Sequence, residues 1–73
     1  MPDVEKQRLA AVMSGIRELR KARSIPPTVR ELAAHLERPL SAVHYDLRTL
    51  RREGRVEWED RKPRTLRVVR KTR

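Results

Sequence analysis

Only three residues, Glu37-Arg38-Pro39, separate two segments that each carry a helical apolar stripe. In the first, Val29, Leu32, Ala33 and Leu36 fall on one face of a helix; in the second, Leu40, Val43, Leu47 and Leu50 recur at steps of three and four. Pro26-Pro27 stops any earlier helix, and Thr28 with Glu31 three residues on forms the Thr-x-x-Glu capping box. Pro39 suits the first position of the next helix, where its missing N–H costs nothing. Gly54 supplies the left-handed position past that helix's end. Two helices, about 29–36 and about 39–53, joined by so tight a turn make a helix-turn-helix.

A longer helix precedes them, about 4–22, with Asp3 as N-cap, Glu5 in the first turn and a stripe of Leu9, Val12, Met13, Ile16 and Leu19. Gly15 lies beside that stripe; of a close helix approach and tolerated slack, we read slack. Ile25 can add a very short strand to a sheet. After Gly54 the period changes. Val56 and Trp58 alternate with Glu57 and Glu59, and Leu66 and Val68 flank Arg67, which predicts a hairpin over about 55–69 with a basic tip at 60–64. Its inward residues, Val56, Trp58, Leu66 and Val68, close a small core, and Arg70 to Arg73 form a frayed basic tail. The expected fold is therefore α+β, mainly α: one domain over 1–73, a three-helix winged helix-turn-helix with a C-terminal β-hairpin wing.

Composition narrows the function. The 73 residues include no cysteine and two histidines, so no disulfide, no cysteine-ligated zinc and no other metal or cofactor is expected. No apolar run approaches a membrane span of ~20 residues and the start has no signal-peptide core, so we expect a cytoplasmic protein. Residues 1–37 carry seven Lys/Arg against five Asp/Glu, net +2, whereas residues 38–73 carry twelve against five, net +7. A merely solubilising surface does not account for that asymmetry. A polyanion facing the C-terminal half does.

Opposite the apolar stripe of the third helix stand Ser41, Tyr45, Arg48 and Arg52, with His44, Arg38 and Arg51 on the flanks. Hydrogen-bonding side chains with cations beside them are what a helix in the major groove of double-stranded DNA requires. The expected contacts are Ser41, His44, Tyr45 and Arg48 on bases, and Arg38, Arg51 and Arg52 on phosphates. Thr28, at the start of the second helix, and Arg61, Lys62 and Arg64 in the wing join them on the backbone. The plainer alternatives are a solvated basic face and an edge-protecting loop. Ser41, His44 and Asp46 do not make a hydrolase triad, because Asp46 lies about 200° around the helix from His44. No enzyme activity is expected.

The segments IPPTVRELAAHL and DLRTLRREGRVEWE together resemble the N-terminal DNA-binding domain of LexA-type repressors. The resemblance is carried by Pro26-Pro27-Thr28, Glu31-Leu32-Ala33, Leu36, Leu47, Leu50, Gly54 and Val56. It implies a helix that reads an operator half-site, with Ser41, His44, Tyr45 and Arg48 at the reading positions, and a wing on the backbone. The turn is one residue shorter than in LexA, with Glu37 at the usual glycine, and fits regulators of the MarR or GntR kind equally well. The exposed residues of the third helix differ from the acidic ones of LexA, so the same operator is not implied. The resemblance stops before the LexA linker and peptidase and carries over neither protease activity nor that dimerisation domain. Two functions remain open: a sequence-specific transcriptional regulator, as a homodimer on DNA or with a protein partner, or a winged-helix interaction module that binds RNA polymerase or another regulator.

Overall fold

A computed structural model describes residues 4–69. Its elements are α1 (Val4–Arg23), α2 (Val29–Leu36), α3 (Leu40–Arg52), β1 (Val56–Glu57) and β2 (Arg67–Val68). The Asp3 cap and the basic tail from Arg70 lie outside the described residues. Three helices pack on one another and the antiparallel β1–β2 pair closes one end of the core, in the register Val56↔Val68 and Glu57↔Arg67. This is a mainly helical winged helix-turn-helix.

The apolar stripes supply the core. Leu9, Val12, Met13 and Ile16 of α1 meet Leu32 and Ala33 of α2, then Val43, Leu47 and Leu50 of α3, with Val56 and Leu66 from the wing. Trp58 and Val68, expected inside, are half-buried at its margin. At the start of α2 the Thr28 hydroxyl accepts from the Glu31 amide at 3.1 Å, and the Glu31 carboxylate accepts from the Thr28 amide at 3.0 Å. The box thus satisfies two amides that the helix start would otherwise orphan.

The turn after α2 is closed by Glu37 in the left-handed region (φ 55, ψ 45). The Glu37 and Arg38 amides return to the carbonyls of Ala34 and Ala33, at 3.1 and 3.0 Å, the paired bonds of a Schellman ending. A residue with a β-carbon thus occupies the place where glycine relieves strain. Pro39 stands at the N-cap of α3 rather than at its first helical position: its backbone is extended (ψ 146) and its carbonyl accepts from Ala42 and Val43. Gly54 takes φ 75 past the end of α3, as its place in the sequence requires.

Three further expectations are corrected. Gly15 is not slack: it is buried, and a β-carbon there would stand 2.9 Å from Leu32 Cδ1 and 3.3 Å from Leu36 Cδ2. Its missing side chain is where α2 nests against α1. Ile25 adds no strand among the described residues; the chain swings away at Ser24 (φ 63) and Pro26 has no amide to pair. The wing ladder is also shorter than the alternation suggested, since residues 58–66 form a loop. There the Thr65 hydroxyl, not a strand partner, accepts from the Glu59 amide at 2.8 Å and faces the Lys62 carbonyl at 3.0 Å.

Candidate nucleic-acid interface

The inner side of α3 is fixed by charge as well as by apolar contact. Asp46, on the same arc as Val43 and Leu50, is 1 % exposed. Its carboxylate accepts from Arg8 Nε of α1, 3.0 Å from both oxygens, and from Arg38 Nη1 of the turn at 2.7 Å. A buried carboxylate in a core this small survives only when such donors replace its water. The result is a three-way tie that sets the rotation of α3 against α1 and the turn. Thr49, also buried, donates back to the Tyr45 carbonyl at 3.2 Å, so no buried polar side chain among the described residues lacks a partner.

With the inner side so fixed, Ser41, His44, Tyr45 and Arg48 are all exposed and line one open hollow of about 410 Å3. None of their side chains hydrogen-bonds elsewhere among the described residues, and Tyr45 is 64 % exposed. Beside this face runs a groove of about 470 Å3 between the start of α2, α3 and the wing. Its floor is apolar, with Val29, Leu40 and Leu66, and its rim carries Arg30, His44, Lys62 and Arg64.

The expected phosphate contacts divide into two groups. Arg52 and Arg61 are exposed and unpaired among the described residues, and Lys62 meets only Glu59 in an exposed pair at 3.4 Å, which holds it weakly. The other three guanidiniums already have protein partners. Arg38 is held by Asp46. Arg51 lies 4.2 Å over the Trp58 ring, donates to the Trp58 carbonyl at 3.1 Å and reaches Asp60 at 3.3 Å. Arg64 donates to both oxygens of Glu31, at 3.1 and 2.9 Å, and to the Pro26 carbonyl at 3.2 Å. These three arginines, expected on phosphates, are thus three different things here: a turn tie, a brace under the wing and a clamp from wing to α2.

The clamp marks its acid. The Arg64 hydrogen bonds, with that from the Thr28 amide, lower the Glu31 carboxyl from 4.5 to about 2. Thr28 uses its hydroxyl oxygen as the cap acceptor and keeps its O–H for a further partner. Arg30 was not among the expected contacts, yet it is exposed, unpaired and on the groove rim. The signal was available: it is the second residue of a helix whose start lines the groove beside the reading face. Among the described residues no group of acidic or histidine side chains is placed to hold a metal ion, and no helix is long and apolar enough to cross a membrane.

A helix-turn-helix whose second helix shows solvent an unengaged polar and cationic face, flanked by a basic wing, defines a winged-helix DNA-binding domain. The family model of the LexA DNA binding domain matches residues 5–65, and the chain belongs to that family. A search of curated proteins gives no match.

Proposed function

We propose that this domain is a sequence-specific transcriptional regulator that inserts α3 into the major groove of double-stranded DNA. The wing and the start of α2 then rest on the flanking phosphates. The observation that carries this reading is the shared hollow of Ser41, His44, Tyr45 and Arg48, whose side chains are exposed and make no hydrogen bond among the described residues, on a helix whose other side is locked. These four are the base-facing residues. Thr28, Arg30, Arg52, Arg61 and Lys62 serve the phosphates, and Arg38, Arg51 and Arg64 position the elements that carry them. One copy covers one half-site, so an operator of useful specificity takes two copies, about 34 Å apart along the duplex, or a partner protein.

Fluorescence anisotropy on a labelled duplex tests the reading. With about four to six phosphates neutralised, log K falls with log[salt] at a slope of about −4 to −5. Arg48→Ala weakens binding, while Glu18→Ala, which removes only the exposed α1 pair with His35, leaves it unchanged. Binding that ignores salt, or equal losses from both variants, rejects the assignment. Co-purification with RNA polymerase or another regulator, without DNA affinity, selects the interaction module instead.

A further inference from the structure

We propose that the half-site read by α3 is anchored on a guanine and contains no adenine-reading anchor; this rests on the duplex-DNA reading above. In the major groove, bidentate recognition follows side-chain chemistry: arginine or lysine matches the two acceptors of guanine, an amide matches adenine, and a carboxylate accepts from cytosine. The sequence of α3, LSAVHYDLRTLRR, has no asparagine, glutamine or glutamate. Its one carboxylate, Asp46, is 1 % exposed and bound by Arg8 and Arg38, so it faces away from any groove that the outer face enters. The whole chain has no asparagine, and its one glutamine is Gln7 on α1. The two ways of reading adenine or cytosine by a paired contact are therefore missing from the reading face.

What remains there is donor-biased. The hydroxyls of Ser41 and Tyr45 donate or accept and discriminate little, and each ring nitrogen of His44 makes a single contact. Arg48 alone in the hollow presents parallel donors and no acceptor. No protein group holds its guanidinium among the described residues, unlike that of Arg51, which Trp58 and Asp60 engage. At about 1.5 Å rise per residue, Arg48 sits about 4.5 Å along the helix axis from Tyr45 and about 6 Å from His44, or between about one and two base-pair steps. The guanine is thus displaced by that spacing from the base pairs met by the first turns of α3.

Selection of the full chain on a random duplex library, followed by anisotropy on the enriched site, tests this. The expected motif holds an invariant guanine. Replacing it with 7-deazaguanine, which lacks the N7 acceptor but keeps O6, removes one of the two contacts and weakens binding about 2- to 12-fold. Arg48→Ala removes the preference at that base pair alone, whereas Arg52→Ala weakens all sequences alike. A motif anchored on adenine, or a guanine that tolerates both 7-deazaguanine and Arg48→Ala, overturns the guanine anchor and leaves duplex binding standing. A folded protein that retains no duplex at low salt overturns both.

Discussion

Asp46 shows how one residue decides the orientation of a helix. Its carboxylate ties Arg8 of α1 and Arg38 of the turn to the inner side of α3. Asp46→Asn keeps the shape but leaves two guanidiniums without their counter-charge, and is expected to cost about 3 kcal/mol. For a domain of this size that lowers the unfolding temperature by about 12–24 °C, measurable by circular dichroism. An unchanged transition would mean that the tie contributes nothing. Position 46 lies inside the apolar arc of 43, 47 and 50, so the sequence did signal an acid turned inward. It gave no indication of the partner, because Arg8 stands 38 residues earlier and resembles every other surface arginine. Gly15 was opaque for the same reason: its purpose depends on Leu32, which only the packed α1–α2 pair brings within reach.

At the scale of elements, the helices were legible because their stripes, the capping box and Gly54 all agree on the same ends. The junctions were less so. Glu37 adopts a left-handed backbone that costs a residue with a β-carbon about 1–2 kcal/mol, part of which glycine would offset against its own chain entropy. Glu37→Gly is expected to stabilise the turn by up to about 1 kcal/mol, raising the midpoint by a few degrees in the same thermal assay. A lowered midpoint would show that the glutamate side chain contributes more than its backbone strain. The wing is held to α2 by Arg64 and Glu31, and an ionised Glu31 is what makes that clamp. Because folding depresses the Glu31 carboxyl from 4.5 to about 2, its contribution is complete above about pH 4.5 and disappears as pH falls through about 2. Denaturant titrations of the native chain and Glu31→Gln should therefore differ at pH 5 and converge towards pH 2. Parallel curves over that range would remove the clamp from the account. Helix geometry and the basic wing tip put Arg38, Arg51 and Arg64 among the expected phosphate contacts; which arginines fold back on the protein is a tertiary fact.

For the whole molecule, the net charge of +9 remains the dominant long-range property, and it accelerates encounter with any polyanion before a specific contact forms. Heparin retention at physiological salt is the expected behaviour, and passage through the column unretained would count against a nucleic-acid partner. Fold and reading are nonetheless separable within this small frame. Everything that keeps α3 in place, from Val43 and Leu50 to the Asp46 tie, lies on one side of it, while the side chains of Ser41, His44, Tyr45 and Arg48 share no hydrogen bond with the rest of the described domain. Replacing those four together should change stability by no more than about 0.5 kcal/mol per position. The same scaffold can then be given a new address by rewriting four letters, and a library randomised only there should yield folded proteins that differ in the DNA they select.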